Sequence, residues 1–148
     1  MEGIRVLFIC IHNSARSQMA EAFLSQIGGG RFVAESAGFE PGTLNPVAVE
    51  TMKEVGIDIS KNKTKGLFDL YKQGRMYQYV IAVCDESSAQ GCPIFPGLVR
   101  ERIHWSFPDP SAFQGTPAET LAKTRDVRDR IKARVEGFVR EIAVNGGD

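Results

Sequence analysis

Four short runs of apolar and β-branched residues, separated by helical patterns, constrain the fold of this chain more than any other feature. They are IRVLFIC (4–10), RFVAESA (31–37), YVIAVC (79–84) and RIHWSF (102–107). Such runs are typical of buried strands. Because strands that alternate with helices pair in parallel through right-handed crossovers, the pattern predicts an α/β fold with one four-stranded parallel sheet, flanked by helices on both faces.

Helical patterns fill the intervals between these runs. In the last one, Thr116 and Glu119 have the spacing of a capping box, and apolar residues then recur every three or four positions. In the second, Asn45 suits the cap, Pro46 the first turn and Gly56 the end of a helix. The predicted helices cover residues 17–27, 46–55, 67–73 and 117–144.

Length, charge and cysteine content exclude several classes of function. The 148 residues suit a single domain, 1–148. Eighteen basic and eighteen acidic residues cancel, so we expect neither nucleic acid nor a membrane as a partner. The amino-terminal apolar run is short and lacks a cleavage site, which favours a strand over a signal peptide. Three cysteines without a secretion signal predict reduced thiols in the cytoplasm.

The seven residues CIHNSAR, 10–16, join the first strand to the first helix with the spacing C-x5-R. A loop that curls around a helix start can direct successive backbone N–H groups at a tetrahedral oxyanion, beside the positive end of the helix dipole. Arg16 adds a planar fork for two oxygens, and the same field favours the thiolate of Cys10. The predicted oxyanion-binding residues are Ile11, His12, Asn13, Ser14, Ala15 and Arg16.

Two further residues suit such a loop. Asn13 tolerates the left-handed conformation that a tight curl needs, and Ser17 is better placed than Ser14 to hydrogen-bond the thiolate. The alternative is a buried strand-end Cys10 and a solvated Arg16. The position between strand and helix, and the lack of bulky apolar residues at 13–17, favour the anion site.

The segment CIHNSARSQMAEA (10–22) closely resembles the phosphate-binding loop of the low-molecular-weight tyrosine phosphatase superfamily, and within it that of the thioredoxin-coupled arsenate reductases. The resemblance continues through ESAGFEPGTLNPVAVETMKEVGIDIS (35–60), VCDESSAQGCPIFPG (83–97) and HWSFPDPS (104–111). It implies a phosphatase-like fold and the reduction of arsenate to arsenite in arsenic detoxification. It also implies thioredoxin as the electron donor and no tightly bound cofactor.

Asp109 is the candidate acid that protonates the departing oxygen in either chemistry. Pro108 and Pro110 stiffen the backbone around it, although Asp-Pro is also ordinary turn chemistry. In the phosphatases that the chain resembles, aromatic residues usually follow the Asp-Pro pair. Here Ser111 and Ala112 follow it, so we expect no aromatic wall for a phosphotyrosine ring.

The other cysteines favour the reductase. Cys84 ends the third predicted strand, and ligands of parallel sheets bind at the carboxyl ends of strands, so Cys84 can face the crevice of Cys10. In the implied relay, Cys84 attacks the sulfur of a Cys10–arsenate adduct, and Cys92 then moves the disulfide to Cys84–Cys92, where thioredoxin reduces it. A helix from 84 to 92 would separate the Cα atoms by about 12 Å, whereas a disulfide needs roughly 4.4 to 6.8 Å. The segment must therefore rearrange on oxidation.

Metal sites are not predicted. A zinc site made by the cysteines with His12 or His104 is disfavoured, because C-x7-C is wider than the usual ligand spacing. By resemblance, Asn13, Glu21 and Ser36 match positions that help to bind potassium in some arsenate reductases. At the position where those reductases have a further acidic ligand, this chain has Lys65. Its ammonium could take the place of the potassium ion. We therefore expect no requirement for potassium.

Two alternatives to the reductase stay open at this point. One is a low-molecular-weight tyrosine phosphatase, and weak phosphatase activity could also persist in a reductase because the first step is shared. The other is a non-catalytic oxyanion-binding module in which Cys10 and Cys84 form a regulatory disulfide.

Overall fold

The computed structural model describes residues 3–85 and 92–146 of the chain. Its strands are β1 (Ile4–Cys10), β2 (Phe32–Gly38), β3 (Tyr77–Ala82) and β4 (Val99–His104). Its helices are α1 (Arg16–Gly28), α2 (Pro46–Glu54), α3 (Leu67–Lys72) and α4 (Pro117–Gly146), and short 3-10 turns cover Gly29–Arg31 and Pro110–Ala112. None of the helices in the described ranges is long and apolar enough to cross a membrane.

The strands form one four-stranded parallel sheet, as predicted, and their order is β2-β1-β3-β4. The central strand β1 pairs Cys10 with Gly38 of β2, and Ile9 with Ala82 of β3. Because all four strands run the same way, their carboxyl ends meet at one edge. Open α/β sheets bind ligands at this edge, and Cys10 lies there.

The side chains of β1 alternate between two apolar layers, as the period of a strand requires. Val6 and Phe8 face one layer, to which α1, α2 and α4 contribute Met19, Phe23, Met52, Val127 and Ile131. Leu7 and Ile9 face the other, which contains Leu67 and Leu70 of α3 and Phe95. Helices therefore cover both faces of the sheet, which confirms the predicted architecture.

Two strand boundaries differ from the prediction. β3 ends at Ala82, so Cys84 lies two residues beyond the strand, and β4 covers 99–104 instead of 102–107. The cause is packing: Trp105 and Phe107 are buried in the core from a loop, while the edge strand β4 exposes most of its polar side chains. Apolar residues therefore predicted a strand where the chain has already left the sheet. The other ends agree within two residues.

The helix caps were predicted correctly where the sequence carried a signal. Asn45 Oδ1 accepts hydrogen bonds from the first turn of α2, at 2.8 Å from Val47 N. Thr116 Oγ1 accepts from Glu119 N, and Glu119 Oε1 accepts from Thr116 N, each at 3.2 Å. This reciprocal pair is the capping box before α4.

Candidate active site

The loop from Cys10 to Arg16 curls because its carbonyl groups are held from outside. Four of them accept backbone hydrogen bonds from the segment after β2: Cys10 O from Phe39 N, Ile11 O from Glu40 N, His12 O from Gly42 N, and Ser14 O from Asn45 N, at 2.8 to 3.1 Å. In a trans peptide the next N–H points away from the carbonyl. The N–H groups of residues 11, 12, 13 and 15 therefore face the inside of the loop, as an anion nest requires.

The start of α1 completes this nest. Ala15 occupies the N-cap and provides no side-chain hydrogen bond to the first turn. The N–H groups at a helix start have no partner within the helix. Those of Arg16, Ser17 and Gln18 can therefore be offered to an anion, together with the positive end of the helix dipole.

Two hydrogen-bond donors surround the Cys10 sulfur. Sγ lies 3.0 Å from Ser17 Oγ and accepts a hydrogen bond from Asn13 N at 3.2 Å. Ser17 Oγ itself accepts from Asn13 Nδ2 at 2.7 Å, which leaves the hydroxyl proton free to donate to the sulfur. Cys10 is 2% exposed, and both contacts favour the negatively charged sulfur. The predicted role of Ser17 agrees with this geometry.

Asn13 is the residue that fixes the shape of the loop. Its φ is 56°, the left-handed value that the sequence predicted. Its side-chain oxygen accepts hydrogen bonds from Gln18 Nε2 and from Lys65 N, both at 3.0 Å. Among the predicted oxyanion ligands, Asn13 thus contacts the sulfur through its N–H and uses its side chain as a brace.

Gly38 lies directly behind the loop. A Cβ built at this position would lie 2.8 Å from Asn13 N and from Ile11 O, and 2.9 Å from the carbonyl carbon of His12. All three are backbone atoms, which cannot move aside by rotating a side chain. A glycine is therefore required for β2 to approach the loop this closely.

Arg16 and Asp109 face each other across the mouth of the loop. Arg16 is 5% exposed, and its Nη1 donates to Phe107 O at 3.1 Å. Its Nη2 lies 3.6 Å from Asp109 Oδ2. Asp109 Oδ1 accepts from Ser111 N at 2.9 Å, which fixes the carboxylate at the start of a 3-10 turn. The predicted acid therefore lies over the predicted anion site.

A cavity of about 350 Å³ opens between these groups. Besides Arg16 and Asp109 it is lined by Ile11, Asp85, Pro108, Ala112 and Phe113. No aromatic wall for a phosphotyrosine ring was expected after the Asp-Pro pair, and the lining contains one aromatic side chain, that of Phe113. Phe113 reaches it from four residues after Asp109, because the 3-10 turn redirects the chain, whereas the prediction considered only the two residues that follow Pro110.

A larger cavity, of about 640 Å³, lies at the opposite edge of the sheet. Its lining includes Arg5, Arg75 and Arg100, near the amino ends of the strands. None of its lining residues is a cysteine or a histidine. The smaller cavity, at the carboxyl ends of the strands, is the one lined by the predicted site residues Arg16 and Asp109.

Cys84 and Cys92 are joined by a disulfide, with their Cα atoms 5.8 Å apart. This is within the range of disulfide bonds and far from the spacing of about 12 Å that a helix would give. The predicted proximity of the two residues in the oxidised state is confirmed. The residues between them, 86–91, on which the predicted rearrangement depends, lie outside the described residues.

The register of the sheet places this disulfide beside the loop. Val83 N donates to Ile9 O at 2.9 Å, which extends the pairing of β1 and β3 past Ala82. Asp85, the residue after Cys84, lines the same cavity as Ile11 at the beginning of the loop. Cys84 is fully buried, whereas Cys92 is half-buried. Cys10 is a free cysteine in this state.

Both histidines make contacts that bear on the disfavoured zinc arrangement. His104 Nε2 lies 2.8 Å from Cys84 O and 3.5 Å from Cys92 Sγ, whereas His12 Nδ1 lies 2.9 Å from Glu40 O, outside the loop. Potential ligand atoms of Cys84, Cys92 and His104 lie within 4.8 Å of one another. Structural zinc sites use thiolate sulfurs, and the disulfide uses both sulfurs here.

Behind the loop, Lys65 occupies the place predicted for a potassium ligand. Its Nζ lies 3.6 Å from Glu21 Oε1, and the Ser36 hydroxyl donates to the same oxygen at 2.5 Å. The Lys65 main chain also holds Asn13 Oδ1. The ammonium thus lies against the carboxylate that a bound cation would neutralise.

Sequence reasoning missed Gln18, which supports the loop from α1. The residue is fully buried, and its Nε2 donates to Asn13 Oδ1 at 3.0 Å and to Lys63 O at 3.1 Å. Its Oε1 accepts from Asn62 Nδ2 at 3.1 Å. A polar residue in the first turn of a helix looks solvent-exposed in sequence. The only sequence feature that pointed to a role in the loop was its place directly after Ser17.

Known proteins with similar sequences belong to one family. Residues 5–146 match the model of the low molecular weight phosphotyrosine protein phosphatase family. An arsenate reductase of Bacillus subtilis (strain 168) is 43% identical over 138 residues, which cover 93% of this chain and 96% of the relative.

Solved structures agree with these matches. One described as an arsenate reductase in the phosphate binding state superimposes with a TM-score of 0.77 at 31% identity, over 94% of this chain and 98% of the other. A thioredoxin-dependent arsenate reductase of Corynebacterium glutamicum gives a TM-score of 0.68 at 27% identity, over 96% of this chain and 63% of the other.

Proposed function

Because the chain belongs to the low molecular weight phosphotyrosine protein phosphatase family and is 43% identical to an arsenate reductase, we propose that it reduces arsenate to arsenite with Cys10, Cys84 and Cys92. The observation that carries the proposal is an oxyanion loop and a cysteine disulfide at the same edge of the sheet. A phosphatase needs the loop and an acid. It has no use for the disulfide.

The first step is the attack of the Cys10 thiolate on arsenic. The inward N–H groups of the loop and the Arg16 guanidinium hold the arsenate oxygens and stabilise charge as the As–S bond forms. Asp109 donates a proton to the oxygen that departs as water. Ser17 and Asn13 keep the sulfur aimed into the nest and stabilise the thiolate before it reacts. The product is a Cys10–arsenate adduct.

The second step transfers electrons. The Cys84 thiolate attacks the Cys10 sulfur, an S–S bond forms, and the As–S bond breaks with its electron pair going to arsenic. Arsenic(V) becomes arsenic(III) and leaves as arsenite, while two thiolates are oxidised to the Cys10–Cys84 disulfide. The step is supported by the place of Cys84 directly after Val83, whose N–H pairs with Ile9 O, and directly before Asp85, which lines the same cavity as Arg16.

The third step regenerates the nucleophile. The Cys92 thiolate attacks Cys84, forms the Cys84–Cys92 bond and releases Cys10 as a thiolate. The Cys84–Cys92 disulfide of the structure is the bond that this step would form, which supports the proposed order. An external dithiol then reduces it, and we take thioredoxin as the donor because a thioredoxin-dependent reductase has a similar structure. Such a thiol cycle needs a reducing compartment, which favours the cytoplasm.

Lys65 supports a cation-independent enzyme within this proposal. Its ammonium lies 3.6 Å from Glu21 Oε1 and supplies a positive charge beside this carboxylate, and its main chain braces Asn13. No tightly bound cofactor enters the three steps, since the cysteines and the external dithiol supply both electrons.

A coupled assay tests the proposal. With thioredoxin, thioredoxin reductase and NADPH, we expect NADPH oxidation that depends on both arsenate and thioredoxin, with one arsenite per NADPH. Hydrolysis of p-nitrophenyl phosphate without arsenite formation would identify a phosphatase instead. Binding of arsenate without either reaction would indicate the non-catalytic module.

A further inference from the structure

His104 contacts both ends of the redox pair, and the proposed relay gives it no task. Its Nε2 lies 2.8 Å from Cys84 O and 3.5 Å from Cys92 Sγ. A carbonyl oxygen can only accept a hydrogen bond, so this nitrogen carries a proton. The same N–H is within hydrogen-bonding distance of the Cys92 sulfur.

The sheet fixes this position. His104 is the last residue of β4 and pairs with Ala82, the last residue of β3. The next rung, Trp105 N to Ala82 O at 2.8 Å, closes the ladder just before Cys84. The imidazole is therefore positioned on a strand rather than on the segment that carries Cys92.

The contact has a different strength in each redox state of Cys92. A disulfide sulfur is a weak acceptor, whereas a thiolate at the same distance accepts a charge-assisted hydrogen bond, which is roughly twice as strong as a neutral one. An N–H donor next to this sulfur thus favours the thiolate, and the thiolate is the form of Cys92 that attacks Cys84.

We propose that His104 is a further catalytic residue of the relay, which donates its Nε2–H to the Cys92 thiolate and holds it against Cys84 while the Cys84–Cys92 disulfide forms. The proposal rests on the function proposed above. In this step the Cys92–Cys84 bond forms and the Cys10–Cys84 bond breaks. The negative charge moves from Cys92, whose proton has gone to solvent, to Cys10, where Ser17 and Asn13 receive it.

The test compares three variants in single turnovers without thioredoxin. His104→Phe removes the donor and keeps a ring, His104→Gln restores an N–H donor, and Arg102→Gln is the matched control. Arg102 also holds the segment after Cys92, through Phe95 O at 2.8 Å and Gly97 O at 3.3 Å, without contacting a sulfur. Reduced protein is mixed with arsenate and quenched with an alkylating agent, and the disulfides are assigned by peptide mass spectrometry.

We expect His104→Phe to release one arsenite at the unaltered rate, but to transfer the disulfide from Cys10–Cys84 to Cys84–Cys92 about ten- to a hundredfold more slowly. His104→Gln should recover most of the rate, and Arg102→Gln should transfer normally. Normal transfer in His104→Phe, or equal slowing in His104→Phe and Arg102→Gln, would overturn the role of His104. Thermal unfolding of each variant verifies the fold.

A second measurement needs no arsenate. In a Cys10→Ser background, oxidised glutathione reacts with the Cys92 thiolate, releases one glutathione thiolate and leaves a mixed disulfide. His104→Phe should slow this reaction about tenfold or more, and His104→Gln should not. An unaltered rate in His104→Phe overturns the proposal whatever happens with arsenate. The expected pattern here, combined with no arsenite from the wild type, would instead refute the proposed function and leave the contact of His104 with Cys92 standing.

Discussion

Gly38→Ala should damage the oxyanion loop, although it replaces none of the residues to which the proposed chemistry assigns a role. The added Cβ would lie 2.8 Å from two backbone atoms of the loop, whereas ordinary contacts begin at 3.4 Å. The strand or the loop must then shift by about 0.6 Å, the difference between these two distances. Because β2 is paired along its whole length with β1, the loop is the element that gives way.

The magnitude follows from that displacement. Overpacking a well-packed site by one methyl group costs about 1 to 3 kcal/mol. The inward direction of the N–H groups depends on the hydrogen bonds that the loop carbonyl groups accept from residues 39–45. A shift of the loop therefore weakens several of these hydrogen bonds together. With about 1.4 kcal/mol per factor of ten, we expect the affinity for a tetrahedral oxyanion to fall about fivefold to a hundredfold, less any part of the cost that appears as reduced stability.

The assay is titration calorimetry with phosphate, together with urea unfolding and kcat/KM for arsenate. Gly30→Ala is the matched control, because Gly30 has no neighbour within 4 Å of an added Cβ. Gly38→Ala should lose free energy of phosphate binding, free energy of unfolding, or both. Compared with Gly30→Ala, the two losses should add up to at least about 1 kcal/mol. Phosphate affinity and stability equal to those of Gly30→Ala would refute the close approach of β2 to the loop.

The remaining predictions test the proposed relay and its supports. Cys10→Ser should produce no arsenite yet bind phosphate by calorimetry, because the nest remains; turnover by this variant would remove Cys10 as the nucleophile. Cys92→Ser should release one arsenite per protein and stop with a Cys10–Cys84 disulfide, identified by peptide mass spectrometry, and sustained turnover with thioredoxin would exclude Cys92. Asp109→Asn should slow adduct formation by about 10² to 10⁴ in rapid-quench experiments, while thioredoxin reduces a preformed Cys84–Cys92 disulfide normally. An unaltered quench rate would assign the acid elsewhere. The wild type should turn over equally in sodium and potassium, and Lys65→Asp should make turnover rise with potassium; stimulation of the wild type by potassium would contradict the role of the Lys65 ammonium.

The sequence predicted the features that depend on local pattern. The strand-loop-helix around Cys10, the left-handed Asn13 and the capping box at Thr116 are each determined by residue type and short spacing, and each was confirmed. The position of β4 was wrong because Trp105 and Phe107 are apolar for core packing from a loop, which periodicity does not distinguish from a strand.

Features that depend on contacts across the fold could not be predicted. Gly38 is required by the distance between two elements, and Gln18 is buried because the loop and residues 62–63 supply its partners. His104 lies against Cys84 and Cys92 because β4 ends at this residue, beside the end of β3, three residues earlier than predicted. In each case the sequence gives the residue type, but the residues that it contacts include some from distant segments, which could not be inferred from the sequence.

The three cysteines differ in exposure in a way that orders the proposed relay. Cys10 and Cys84 are buried, and Cys92 is half-buried, so a protein thiolate that approaches from outside can reach Cys92 while the other two sulfurs stay covered. Reduction at the surface then restores a nucleophile in the interior without opening the anion nest. The loop alone would support either phosphate-ester hydrolysis or arsenate reduction, since both begin with a thiolate and a tetrahedral oxyanion. Only arsenate reduction needs a second thiolate, that of Cys84, which attacks the Cys10 sulfur. It also uses a third, that of Cys92, which transfers the disulfide to the more exposed cysteine.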